Sequence, residues 1–190
     1  MVAALNPQFW WYLSRASGIV AWLMLTAAVI WGVVLGTGAF PEHRRPAWLR
    51  DLHSWLGGLS VLFLAVHLVA LVADSYVSFG LVDLLVPFAS DWKPGAVALG
   101  VLAMWLVVAV QVTSLAMRHL PRRAWRVVHL SSYLAFWATS MHAAFAGTDR
   151  TSLLYQVTAV LAIAAVVWSL LYRVTNPKRR RTAGRSVGAT

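Results

Sequence analysis

Four of the six histidines stand where a histidine is costly. His53 and His67 fall in an apolar stretch from Leu52 to Ala73, and His129 and His142 in another from about Ala124 to Phe145. A titratable side chain inside a bilayer costs free energy, so it marks a function or a buried partner. When the two stretches cross in the same direction, His53 stands level with His129, and His67 with His142. The spacings of fourteen and thirteen residues correspond to about 20 Å of helical rise, room for one flat macrocycle at each level. Neutral imidazole is a common axial ligand of haem iron. One imidazole from each side fills both axial positions, which leaves no open site for substrate and suits the iron to passing single electrons. The residues therefore predict a bis-imidazole haem site at each level, one on His53 and His129 and one on His67 and His142.

The facing angles support half of this. A fourteen-residue step ends about 40° short of four turns, so His53 and His67 share a helix face. A thirteen-residue step ends about 140° short, so either the helix carrying His129 and His142 is distorted or the two haems are rotated relative to each other. A reading of another class makes the histidines interhelical hydrogen-bond donors, or a proton relay in a transporter or channel. That reading gives the level pairing no role. No carboxylate or further histidine lies at the same depth on these two stretches to build another kind of metal site. His43 and His119 fall in polar loops, where solvated side chains are expected.

The elements that must position the four rings follow from composition. The chain has 190 residues, 60% hydrophobic and only 12% charged, whereas soluble domains carry about twice that charge. There are no cysteines, which excludes disulfides, thiolate metal sites, iron–sulfur clusters, cysteine nucleophiles and a covalently attached c-type haem. The fold class is all-α: a polytopic membrane helical bundle of about five transmembrane helices plus a short re-entrant or interfacial helix. The spans run from about Leu13 to Gly36, Leu52 to Ala73, Ala96 to Met117, Ala124 to Phe145 and Leu153 to Tyr172, each long enough for a hydrocarbon core of about 30 Å. The third follows Pro94-Gly95, a helix start. The short apolar run from Val77 to Phe88 cannot span and should end at Pro87. The N-terminus lacks the basic start and cleavage site of a signal peptide, so the first helix is expected to be retained. Residues 1–175 form one domain, and residues 176–190 a basic cytoplasmic tail expected to be disordered.

A net charge of +10 raises the question of nucleic acid, but the basic residues sit where a membrane protein needs them, and no nucleic-acid partner is expected. Thirteen of the sixteen Lys and Arg residues fall on one side of a five-span topology. By the positive-inside bias that side is cytoplasmic, with the N-terminus outside and the C-terminus inside. A bacterial inner (cell) membrane is the expected location. Trp10, Trp11 and Trp92 then mark the outer interface, and Trp48 and Trp125 the inner one.

Haem propionates are anionic and need partners at the surface. Arg50, Arg122, Arg123 and Arg126 lie near the inner pair, and Arg binds a carboxylate through two parallel hydrogen bonds. Arg15 lies at the outer mouth of the first span, against the charge bias, and is expected to contact an outer propionate. Gly57 and Gly58 are expected either to let a haem approach the second span or to permit close helix packing. Trp55, Phe63, Phe136 and Trp137 are candidates to pack on a macrocycle. No GxGxxG motif occurs, and neither an FAD nor an NAD(P)H site is expected in this chain.

The pattern of His, thirteen residues, His on one span, then His, twelve residues, His on a later one, resembles the ferric reductase-like transmembrane domain. That superfamily includes ferric reductases, NADPH oxidases and the haem-binding membrane subunit of methionine sulfoxide reductase systems. The stretch WRVVHLSSYLAFWATSMHAAFAGTD (Trp125 to Asp149) carries the closest likeness, and LSRASG (Leu13 to Gly18) is similar to the family's opening span. The resemblance covers about residues 10–175. It implies that His53 and His129 ligate the inner b haem and His67 and His142 the outer one. It further implies an oxidoreductase component carrying electrons outward across the membrane. The donor would be a separate cytoplasmic flavin reductase or a quinol. The acceptor would be a ferric chelate, oxygen or a periplasmic or extracellular protein. The alternative within redox proteins is the haem subunit of a quinone-linked or methionine-sulfoxide-reducing complex.

Overall fold

A computed structural model describes residues 8–37, 46–75, 77 and 79–175. His43, Arg44, Arg45 and the basic tail lie outside the described residues. Among those described the chain is all-helical: α1 (Phe9–Gly36), α2 (Trp48–Ala73), α3 (Leu81–Leu85), α4 (Pro94–Leu115), α5 (Arg122–Leu130), α6 (Ser132–Ala146) and α7 (Leu153–Thr175), with a 3-10 turn at Asp149–Thr151. Four of these helices, α1, α2, α4 and α7, are long and apolar enough to cross a membrane.

The bundle is apolar on the outside. Trp168 is 73% exposed, Val69 63% and Leu102 45%, a surface that suits lipid rather than water. Hydroxyls inside such helices must find partners, because lipid offers none. They turn back on their own helix: Ser17 donates to the Leu13 carbonyl, Thr26 to Trp22, Thr113 to Ala109 and Thr139 to Ala135. Pro94 opens α4 at its first turn, where a missing N–H costs nothing. Val86, just before Pro87, is extended and closes α3.

The fourth expected span is where the structure differs from a simple reading. It is not one helix but two, α5 and α6, broken at Ser131. The Ser131 N–H bonds the Val128 carbonyl at 3.0 Å, an i→i+3 bond of 3-10 type, and its hydroxyl donates to the same carbonyl at 2.6 Å. A serine that competes for its own helix's carbonyls tightens and bends the chain there. The distortion suggested by the thirteen-residue spacing is this break.

Two helix pairings dominate: α1 runs along α2, and α4 along α6, while α7 packs on α1. The main core lies between α1, α6 and α7, where Trp22, Leu25 and Val29 meet Phe136 and Val166, the last two fully buried. The Trp22 indole donates to Ser140 Oγ at 3.0 Å. The Trp31 indole ties α1 to the Leu49 carbonyl at the start of α2, and the Trp105 indole ties α4 to the Leu85 carbonyl at the end of α3. Helices α2 and α6 stay apart, and the space between the two pairings holds the candidate site.

Candidate haem-binding site

The structure brings the four predicted histidines together in the predicted pairs. The rings of His53 and His129 meet edge to face, with centroids 5.9 Å apart and planes at 66°. His67 and His142 line a common cavity of about 210 Å³, with Trp22, Leu64, Val101 and Met104 among its walls. All four side chains are half-buried.

Each ring is seated against the neighbouring helix of its own pairing. His67 Nδ1 lies 2.7 Å from the Ser14 carbonyl of α1, and His142 Nδ1 lies 2.7 Å from the Ala96 carbonyl of α4. A carbonyl only accepts, so Nδ1–H donates in both, and in the neutral ring Nε2 keeps its lone pair. This is the arrangement that orients and strengthens a metal-ligating histidine.

Glycines make the approach possible. A Cβ on Gly18 would lie 3.0 Å from His67 Nδ1, one on Gly100 2.7 Å from His142 Nδ1, and one on Gly32 3.1 Å from His53 Cε1. Gly18 and Gly100 each come four residues after the carbonyl that accepts the bond. In a helix that carbonyl also accepts the glycine's own N–H. With no side chain on that residue, the imidazole reaches the carbonyl from beside it. Gly32 stands in the same relation to Ala28, the carbonyl that His53 addresses. His53 Nδ1 is nevertheless buried without a partner in hydrogen-bond geometry. The fourth ring breaks the pattern, since His129 Nδ1 lies 3.3 Å from Ser114 Oγ and none of the described glycines faces it.

The register behind this is regular. Gly18 and Gly32 are fourteen residues apart on α1, as are His67 and His53 on the antiparallel α2. Gly100 and Ser114 are likewise fourteen apart on α4, facing a thirteen-residue interval across α5 and α6. The break at Ser131 absorbs the missing residue.

The remaining expected site residues fare unevenly. Arg15 does line the mouth of the His67–His142 cavity, but its guanidinium is committed to the Asp149 carboxylate through Nε and Nη2 and sits over the Trp11 and Tyr12 rings. Arg50, Arg123 and Arg126 are solvent-exposed, as is Arg122. On α5, Arg122 and Arg126 fall on the His129 side, about 20° and 60° away by helical rotation, while Arg123 points about 120° away. Trp55 is 69% exposed, and Phe136 belongs to the α1–α6–α7 core, so neither lines the cavity. A Cβ on Gly58 would meet nothing, and one on Gly57 only Gln111. The glycines that matter are Gly18, Gly32 and Gly100. For Gly18 and Gly32 the signal is their fourteen-residue spacing on α1, matching that of the histidines on α2. Trp125, expected only as an interface marker, stacks on His129 with centroids 5.0 Å apart.

Among the described residues no three His, Cys, Asp or Glu side chains converge, so each level offers a pair of imidazoles. Compared with family models, curated proteins and solved structures, the chain matches none.

Proposed function

We propose that the protein is a membrane b-type cytochrome that carries electrons across the bilayer through two haems. His53 and His129 would hold one, His67 and His142 the other, as the resemblance to ferric reductase-like membrane domains implies. The observation that carries this reading is the paired seating of four half-buried imidazoles, two of them locked by Nδ1–H bonds to backbone carbonyls.

The residues fit the group in three respects. Two imidazoles per level suit a macrocycle that brings its own four nitrogens, and fall short of the four protein ligands of a structural zinc site. The His53 and His129 rings face each other with centroids 5.9 Å apart, close enough for both to hold one group. The walls at the other level are largely apolar, which suits a flat hydrophobic ring, while the charged groups there are the Arg15–Asp149 pair and Asp74.

A haem held by these histidine pairs would supply one-electron transfer. The chain's own residues hold the two groups at different depths, orient the imidazoles and exclude water. The Arg-rich loops favour a cytoplasmic placement of the His53–His129 end. Electrons would then enter there from a flavin reductase or a quinol and leave at the His67–His142 end, to a ferric chelate, oxygen or a protein outside.

An absorption spectrum of the purified protein with pyridine haemochrome quantitation tests this. Two protohaems per chain are expected. His67→Ala and His142→Ala should remove the same one, and His53→Ala and His129→Ala the other. Full pigment in all four variants would overturn the assignment. Colourless wild-type protein whose histidine variants lose proton flux would put a proton relay in its place.

A further inference from the structure

At the His53–His129 level one buried polar atom besides His53 Nδ1 has no partner: the indole nitrogen of Trp125. An indole N–H donates and never accepts. Buried donors are almost always paired, so one without a protein partner points to an acceptor that a ligand brings. The ring to which this nitrogen belongs is stacked on His129 at 26°, with centroids 5.0 Å apart. The donor therefore sits beside an imidazole that faces His53 across 5.9 Å. Trp125 lies on the short helix α5, which buries none of its residues fully and is the chain's only described segment with three arginines. Arg122 precedes Trp125 by three residues and His129 by seven, so the three side chains form one stripe. A buried neutral donor with a cation one turn behind it suits an anionic oxygen, which accepts a hydrogen bond and gains from the nearby charge.

We propose that Trp125 is a binding residue of the His53–His129 site. Its indole N–H donates to a carboxylate on the edge of the ligand that the two imidazoles hold, and its ring fixes the plane of His129. This rests on the haem reading above and deepens it. It sets which edge of the inner macrocycle is acidic-side down: the propionate edge lies toward α5, with Arg122 as its outer counter-charge. Arg123, pointing to another face, has no part in it.

The test uses the full chain produced under haem limitation and titrated with either protohaem or its dimethyl ester, whose carboxylates are blocked. Binding at the two levels is resolved by running each titration in the wild type and in His67→Ala, which leaves only the Trp125 level. Wild-type protein should prefer protohaem at this level by about tenfold or more, the worth of a charge-assisted hydrogen bond. Trp125→Phe keeps the stacked ring and loses the N–H, so the preference should shrink several-fold at this level and stay unchanged at the other. In Trp125→Phe with His67 intact, uptake at the His67–His142 level reports whether the variant is folded. A second readout needs no substitution: the indole N–H vibrational band should shift between wild-type protein loaded with protohaem and with the ester. An undiminished preference in Trp125→Phe, or a preference lost only in Arg122→Gln, overturns the role given to Trp125. If wild-type protein takes up neither compound, the haem reading itself has failed, a result separate from either of these.

Discussion

The two histidine levels are built from the same parts and finished differently. At the His67–His142 level both rings donate from Nδ1 to a carbonyl at 2.7 Å, and both lie against a glycine. At the His53–His129 level one Nδ1 has no partner in bonding geometry, and the other has a serine hydroxyl at 3.3 Å. One level is locked by the backbone, while the other is held by side chains, with Trp125 stacked on its edge. A backbone carbonyl in a helix interior cannot swing away, so the locked level is pre-organised before anything binds. The looser level would depend on a bound group to complete it. Order in the first comes from the helix register, and order in the second from side-chain contacts.

The sharpest way to break this comparison is to remove the space that locking requires. A methyl at Gly100 would stand 2.7 Å from His142 Nδ1, too close without movement of the ring or of α4. Overpacking of this kind costs about 1–3 kcal/mol, and disturbing an outer-shell partner costs about ten- to a hundredfold in metal affinity. Gly100→Ala should therefore lose most haem from the His67–His142 level in a haemochrome assay while the other level keeps its own. Gly58→Ala is the matched control, since nothing lies within reach of its methyl. Equal pigment in the two variants would show that the glycines do not seat the rings.

How much of this was legible in the residues alone can be judged from these positions. The four histidines, their pairing and the all-helical membrane architecture follow from apolar length and spacing, because both are fixed by helix geometry. The short helix ending before Pro87 was legible for the same reason. The split of the fourth span was legible only as an angular misfit between His129 and His142. Nothing in SSY itself announces a break, since serine back-bonding also occurs in unbroken helices here, as at Ser17 and Ser140. Gly18, Gly32 and Gly100 were hidden because a glycine's role depends on what faces it across the interface. Gly57 and Gly58 drew attention by adjacency to His53, and adjacency along a helix is not contact. Arg15 lines the His67–His142 cavity, but its partner Asp149 is 134 residues away in sequence. Both ends of that ion pair lie within the stretches, LSRASG and the segment ending at Asp149, that carried the family resemblance.

A second prediction sharpens the comparison without removing either level. An Nδ1–H bond to a carbonyl raises the basicity of the imidazole and stabilises the oxidised metal. Two such bonds act at the His67–His142 level, and none of that geometry at the other. The haem held by His67 and His142 should therefore have the lower midpoint potential. An optical redox titration should resolve two steps, and His67→Ala should delete the lower one. Loss of the higher step instead would reverse the comparison. For the proposed outward transfer, this order would be mildly uphill in chemical terms. A negative-inside membrane potential offsets this, by about 2.3 kcal/mol per 100 mV for a charge crossing the full thickness.

The smallest effect should come from Ser114. Its hydroxyl is 3.3 Å from His129 Nδ1, at the long end of hydrogen-bond range, where the interaction is weak. It also occupies the position on α4, fourteen residues beyond Gly100, at which the other three rings meet a glycine. Ser114→Ala should leave both haems bound, with affinity at the His53–His129 level reduced no more than about threefold, within the usual worth of one weak hydrogen bond. Ser114→Gly should be no worse, and it opens the approach that His67 and His142 enjoy. If Ser114→Ala instead emptied the level as fully as Gly100→Ala empties its own, the serine would be as decisive a lock as the carbonyls. The two levels would then differ in the chemistry of their locks and not in how firmly each is held.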